Sequence, residues 1–220
     1  MSNPVLSDDI IKALTSYTAN MEVPVTFVLQ TGEHAKREEL VEFLSAIAAV
    51  SDKLLLDERD CDSALRSPVS FYLEVNGQST GISFSGIPSG HEFNSLVLAI
   101  LRSSGTALKL DDGIQAMVAA IQEPLHFEVF VSLSCHNCPD VVQALNQFAL
   151  LNDNISAEMI DGGLYPELIE QRDIQGVQSV YLNGELFANG KVDTAKMIDK
   201  LQTLYPYLNQ TTAEALPLQD

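Results

Sequence analysis

An internal repeat constrains the fold of this chain more than any single motif. Residues 25–53 and residues 127–155 both read as a β-strand, an amphipathic helix and a second strand, at nearly the same spacing. Ser70–Leu73 and Ser179–Leu182 then occupy matching places, each ahead of an Asn-Gly turn. The pattern predicts two α/β halves, each a β-α-β unit followed by a hairpin and a helix, with a mixed central sheet.

The repeat also sets the expected domain boundaries. Residues 1–105 form the first half, residues 106–123 a connecting helix and residues 124–205 the second half. Residues 206–220 show no periodicity and are expected to be a linker or tail, which favours a piece of a longer protein.

Composition excludes several classes of function. The chain has 12 Lys and Arg against 30 Asp and Glu, a net charge of −18, which argues against binding nucleic acid or anionic lipid. The N-terminus lacks a basic segment, and apolar runs such as residues 43–50 are too short to span a bilayer, so no signal peptide or membrane segment is expected. Three cysteines fit a reducing compartment, and a cytoplasmic location is predicted.

Cys135 and Cys138 form a Cys-x-x-Cys motif between a predicted strand and a predicted helix. Unpaired backbone N–H groups and the positive end of the helix dipole would lower the pKa of the first thiol, although Asp140 opposes this effect. Pro139 suits the first helical turn. This placement predicts that Cys135 is the exposed attacking sulfur and Cys138 the buried resolving one, with exchange through a mixed disulfide.

Two alternatives compete with redox chemistry at this motif. A structural zinc site would need two more ligands from Cys61 and the four histidines, and no second Cys-x-x-Cys or His-x-x-x-His exists, so no metal ligand is assigned. The two cysteines could also be inert. Acids surround Cys61 and should raise its thiol pKa, so it is expected to be unreactive. The chain has no Gly-x-Gly-x-x-Gly after a strand, so it is expected to bind neither FAD nor NAD itself.

Three segments resemble one family. Residues 132–146 (SLSCHNCPDVVQALN), Ile160–Gly163 and Gly90–Phe93 are similar to motifs in the N-terminal domain of the alkyl hydroperoxide reductase flavoprotein, and the resemblance covers residues 5–204. It implies two tandem thioredoxin-like folds with mixed central sheets flanked by helices. The first would lack redox cysteines, since the matching places fall near Glu33 and Lys36.

The resemblance implies a dithiol–disulfide oxidoreductase of peroxide detoxification. Electrons would pass from a fused or separate thioredoxin-reductase-like module carrying FAD and NAD(P)H, through Cys135 and Cys138, to a 2-Cys peroxiredoxin. Glu92 matches a family acid that reaches from the first fold toward the disulfide of the second, where a raised pKa would suit a proton shuttle. The alternative for Glu92 is an acid that stabilises the first turn of its own helix.

One position departs from the family pattern. The family has a cis proline before its third strand, where this chain has Gln178 after Val177. A trans bond is expected before Gln178 because a cis bond to a residue other than proline costs about 2.5–4 kcal/mol. Pro68 is expected to keep such a proline in the first half. This departure keeps two other functions open, a redox-compromised docking module and a metal-binding thioredoxin fold.

Overall fold

The structure is a computed structural model, and it describes residues 5–210. Eight strands form a single mixed sheet in the order β2-β1-β3-β4-β6-β5-β7-β8. The strands are β1 (Val25–Gln30), β2 (Leu54–Arg59), β3 (Ser70–Val75), β4 (Gln78–Ser85), β5 (Leu125–Val131), β6 (Ile155–Asp161), β7 (Ser179–Leu182) and β8 (Glu185–Asn189). The helices are α1 (Asp8–Thr18), α2 (Arg37–Ala48), α3 (Phe93–Ser103), α4 (Asp112–Ala119), α5 (Cys138–Leu151), α6 (Pro166–Gln171) and α7 (Thr194–Leu204).

The two halves repeat the same strand pairing. In the first half β1 pairs in parallel with β2 and antiparallel with β3, and β3 forms a hairpin with β4. In the second half β5 pairs in parallel with β6 and antiparallel with β7, and β7 forms a hairpin with β8. The predicted α/β architecture of β-α-β units followed by hairpins is therefore confirmed.

The repeat did not predict that the two halves share one sheet. β4 of the first half pairs in parallel with β6 of the second, from Ile82 opposite Ala157 to Ser85 opposite Ile160. Gly81 lies at the start of this junction with φ +80°, and a Cβ there would lie 2.7 Å from the carbonyl oxygen of Ile155. Only glycine combines this backbone conformation with so close an approach.

Apolar residues on alternate positions of the strands divide the core between the two faces of the sheet. The main cluster includes Phe127 and Val129 together with buried residues of α1 to α5 and α7. A smaller cluster of Phe130, Ile160 and Tyr181 packs against α6 on the other face. Because side chains alternate along a strand, Glu128 shares the face of Phe130 and is buried there.

The packed body extends beyond residue 205. Leu208 is fully buried, and the Tyr207 hydroxyl donates to the carboxylate of Glu123 (2.6 Å) and accepts from the Gln122 N–H (3.0 Å). The remainder of the predicted tail, residues 211–220, lies outside the described residues. Helix α4 occupies the middle of the predicted connection, with the Asp111 side chain capping it. Within residues 5–210, no helix combines the length and apolar character needed to cross a bilayer.

Candidate functional site

The Cys-x-x-Cys motif lies at the N-terminus of α5, directly after β5. Cys135 and Cys138 are joined by a disulfide with their Cα atoms 5.6 Å apart. Cys138, the first residue of the helix, is 0% exposed, whereas Cys135 is only partly buried. Pro139 occupies the first turn, where its missing N–H leaves no hydrogen bond unmade. The structure thus makes Cys135 the accessible sulfur and Cys138 the enclosed one, as the sequence predicts.

A turn of the first half contacts the loop that precedes this motif. Gly90–Glu92 form a 3₁₀ turn before α3, and the His91 N–H donates to the Leu133 carbonyl (3.1 Å). Gly90 has φ +57°, and a Cβ there would lie 2.6 Å from the same carbonyl oxygen. The His91 ring stands against the ring of His136, with centroids 4.1 Å apart. The first half therefore forms one wall of the disulfide site.

Glu92 is fully buried beside this wall. Neither carboxylate oxygen has a hydrogen-bond partner, and the side chain makes no capping hydrogen bond to α3. Burial raises the pKa of Glu92 to about 7, and the nearby Ser95 hydroxyl opposes the shift. That hydroxyl also accepts from the Gln143 side chain of α5 (3.3 Å), which ties the two halves together here. These contacts favour the predicted buried acid over a residue that stabilises its own helix.

The expectation of a trans bond before Gln178 is wrong. Val177–Gln178 is cis, and it is the one cis peptide bond within residues 5–210, so the bond before Pro68 is trans. Tertiary contacts fix this loop on both sides of the Val177–Gln178 bond. Gln178 is buried and its carbonyl accepts from the Gly190 N–H (2.9 Å), while the Ser179 hydroxyl donates to the Gly176 carbonyl (3.0 Å).

Comparisons with known proteins agree with this site. Residues 125–203 match the family described as Thioredoxin domain. The alkyl hydroperoxide reductase flavoprotein, AhpF, of Staphylococcus aureus strain Mu50 is 43% identical over 197 residues, 90% of this chain. The crystal structure of the NTD_N/C domain of alkylhydroperoxide reductase AhpF from Enterococcus faecalis superposes with a TM-score of 0.82 and 32% identity, over 89% of this chain and 99% of that one. The chain belongs to the AhpF family.

Membership in the AhpF family confirms the predicted resemblance and the thioredoxin-like fold class. A protein disulfide oxidoreductase from Aeropyrum pernix shares the fold, with a TM-score of 0.74 over 95% of this chain at 22% identity. The chain spans 38% of the length of the curated S. aureus relative. The assignment to an oxidoreductase domain therefore concerns this part of the AhpF sequence, which contains the Cys-x-x-Cys motif.

The first half has an arginine where the second has its buried cysteine. Helix α2 begins at Arg37 as α5 begins at Cys138, so the places that match the two cysteines are His34 and Arg37, one residue beyond the expected ones. The Arg37 guanidinium donates to the Pro68 carbonyl (2.8 Å), the Gln30 carbonyl and the Glu58 carboxylate. It fills the space that a disulfide would need.

Cys61 lies apart from both of these positions. It follows β2 and is partly buried. Burial, together with nearby acids, raises the pKa of its thiol. A raised thiol pKa disfavours the reactive thiolate, as the sequence predicts.

Sequence reasoning missed a buried charge cluster at the junction of the two halves. Arg66 contacts Glu158 (2.8 Å) and Glu128 (2.7 Å), and Arg172 contacts Glu128 (2.7 Å). Burial alone would raise the pKa of Glu158, but hydrogen bonds from His126, Arg66 and Ser85 outweigh it and lower the pKa to about 2. No local pattern reveals this cluster, because Arg66 and Glu158 are 92 residues apart in sequence.

The same cluster contains a candidate group of metal ligands. Ligand atoms of His126, Glu128 and Glu158 lie within 4.8 Å of one another, the one such group of three in the part of the chain that the structure describes. Both carboxylates already bind arginine, which supplies the positive charge that a cation would bring. The group includes neither cysteine of the Cys-x-x-Cys motif. The zinc alternative for that motif therefore finds no additional ligands here.

Proposed function

We propose that this chain is a dithiol–disulfide electron carrier that works through Cys135 and Cys138. The observation that carries the proposal is their unequal burial at the N-terminus of α5, within a domain of the AhpF family. In the reduced form, the Cys135 thiolate attacks one sulfur of a partner disulfide and releases the other as a thiol. Cys138 then attacks the mixed disulfide, so that two electrons leave this chain and its own disulfide forms.

Helix α5 supplies the electrostatics of the first step. Its unpaired N–H groups and its dipole stabilise negative charge on the sulfur that lies before the first turn, which is Cys135. Asp140 in the same turn is exposed, so solvent weakens its opposing charge. Cys135 is therefore the sulfur that reacts first with a partner.

Glu92 is proposed to carry the proton of the second step. Cys138 must lose its proton to attack the mixed disulfide, and it lies in a part of the site that solvent does not reach. A buried carboxyl with a pKa of about 7 is able both to accept and to return a proton at neutral pH. The turn that holds Glu92 packs against α5, and Glu92 itself has no competing hydrogen bond.

Electron donor and acceptor are proposed from the family. A module outside this chain, carrying FAD and NAD(P)H, would reduce Cys135–Cys138, and the relatives are long enough to contain such a module because this chain spans 38% of them. The acceptor would be a 2-Cys peroxiredoxin. A carrier that cycles between dithiol and disulfide suits a reducing compartment, and we propose the cytoplasm.

Reduction of insulin by the chemically reduced chain tests the carrier proposal. Wild type and Cys61→Ser should reduce insulin at the same rate, because Cys61 lies outside the couple. Cys135→Ser should be inactive, since it lacks the attacking sulfur, and Cys138→Ser should accumulate a mixed disulfide that mass spectrometry detects. Full activity in Cys135→Ser, or no reduction by wild type, would contradict the proposal and favour a docking module.

A further inference from the structure

Arg102 is a buried cation without a partner. It lies in the last turn of α3, and 9% of its surface is exposed. Within residues 5–210 its guanidinium makes no hydrogen bond or ion pair, whereas Arg66 binds two buried carboxylates. Burial lowers the pKa of Arg102, and no neighbouring acid opposes this effect. Since an unpaired buried charge is costly, proteins rarely keep one unless something binds it.

Arg102 lines a cavity of about 370 Å³ beside the disulfide. The cavity lies between the end of α3, the segment after it, α5 and the loop from β8 to α7. Its charged lining residues are Arg102, Lys109, Lys191, Asp140 and Asp193. The Asp193 carboxylate is already engaged, because it accepts from the Lys196 N–H (2.9 Å) as the cap of α7. Bases therefore outnumber acids here, three to two, in a chain of net charge −18.

The walls of this cavity are held by specific contacts. The buried Gln147 side chain of α5 accepts from the Lys109 N–H (2.6 Å), which fixes the segment that carries Lys109. At the start of that segment, the Ser104 hydroxyl donates to the Val23 carbonyl (2.5 Å). Asn137, between the two cysteines, forms the end of the cavity nearest the disulfide. A group bound at Arg102 would thus lie next to the Cys-x-x-Cys loop.

We infer that this cavity binds a carboxylate of the disulfide substrate while Cys135 attacks its sulfur. The guanidinium fork of Arg102 matches the geometry of a carboxylate, and Lys109 and Lys191 add positive charge. Carboxylate is the anion that disulfide compounds carry most generally, either in small thiol acids or in Asp and Glu side chains of a peptide. The inference rests on the proposed function and adds to it a preference among substrates.

The chemistry of the step is the same for every substrate. The two thiols of Cys135 and Cys138 are oxidised to the disulfide, the substrate S–S bond breaks, and the substrate leaves as two thiols that take up both protons. A carboxylate at Arg102 takes no part in this exchange. It only raises the fraction of encounters in which the substrate disulfide lies at Cys135.

Single-turnover rates with two small disulfides test this inference. Reduced chain is mixed with 3,3′-dithiodipropionate, which carries two carboxylates, or with neutral bis(2-hydroxyethyl) disulfide. Arg102→Gln should slow the reaction with the dicarboxylate about tenfold, the effect of losing one charge-assisted hydrogen bond. Reaction with the neutral disulfide should change less than about twofold. Lys12→Gln, on α1 and away from the cavity, removes the same charge and should alter neither rate.

Lys191→Gln is a second variant at an exposed position that does not threaten folding, and it should show the same selective loss. Peptide disulfides flanked by Glu or by Gln distinguish the source of the carboxylate. Discrimination confined to the peptides assigns an acidic peptide, and discrimination confined to the small disulfides assigns a small thiol acid. Equal slowing with the charged and neutral disulfides in Arg102→Gln, or equal effects in Lys12→Gln, would overturn the inference.

A binding measurement separates this inference from the proposed function. Millimolar glutarate should raise the melting temperature of the oxidised wild-type chain more than sodium chloride does at equal ionic strength, and should lose that effect in Arg102→Gln. No excess effect of glutarate on wild type would overturn the carboxylate site even if the chain reduces both disulfides. Failure to reduce either disulfide, together with a glutarate effect that needs Arg102, would instead contradict the carrier function and retain the site.

Discussion

Replacing Glu92 with Gln should make the stability of the domain depend differently on pH. Burial raises the pKa of Glu92 from its ordinary value of 4.5 to about 7. A carboxyl with a raised pKa in the folded state is held as the neutral acid by folding, so its ionisation destabilises the domain as pH rises from 4.5 to 7. The difference of about 2.5 between the two pKa values corresponds to about 3 kcal/mol, at about 1.4 kcal/mol for each pH unit.

Urea unfolding of the oxidised domain between pH 4 and pH 8 measures this effect. Glu92→Gln has no ionisable group, so its free energy of unfolding relative to wild type should rise by about 3 kcal/mol from pH 4.5 to pH 7 and then level off. A buried amide without a partner adds a constant cost that does not depend on pH. Glu38→Gln, on the exposed face of α2, controls for the loss of one carboxylate.

The same variant should slow resolution of the mixed disulfide. Without a carboxyl to accept the Cys138 proton, Glu92→Gln should accumulate the mixed disulfide and lose the step in the pH–rate profile near pH 7. A stability difference that is constant across this range would refute the raised pKa of Glu92. A pH-dependent difference in stability with an unchanged rate of resolution would refute its role in proton transfer alone.

Two further substitutions test the junction between the halves. Arg66→Met should lower the free energy of unfolding at pH 7 by about 3 kcal/mol, because it leaves the buried Glu158 carboxylate without its cation; a loss below about 1 kcal/mol would contradict this. The lowered pKa of Glu158, about 2, means that its stabilisation is complete above pH 4.5 and is lost as pH falls toward 2 in acid unfolding. Gly81→Ala should cost about 2 kcal/mol or more in thermal unfolding, since its Cβ would meet the Ile155 carbonyl, whereas Gly77→Ala has a similar φ with open space around it; equal losses would show that the close contact is irrelevant.

Local sequence patterns predicted the parts of this fold that depend on neighbouring residues. The repeat predicted the order of strands and helices in both halves because alternation and helical spacing are local properties. The Ser7 cap of α1 and the placement of Cys135 and Cys138 before α5 follow from residues within one turn of each other. The resemblance to the flavoprotein family added Glu92, which no periodicity distinguishes from an ordinary acid of a first helical turn.

The features that sequence reasoning missed depend on contacts between distant segments. The pairing of β4 with β6 joins strands about 70 residues apart along the chain, and Arg66 reaches Glu158 across that junction. The cis bond before Gln178 lies in a loop held by Gly190 and Gly176, and Arg102 looks like any basic residue near a helix end until its burial is known. Tertiary packing decides each of these, and no short window of sequence records it.

A redox titration of Cys135 and Cys138 tests the central claim most directly. The purified chain is equilibrated with a series of glutathione and glutathione disulfide ratios, alkylated, and read by mass spectrometry. The account predicts a reversible two-electron couple confined to Cys135 and Cys138, with Cys61 alkylated at every ratio. Two thiols that never pair, or that pair irreversibly, would contradict the claim that this domain carries electrons.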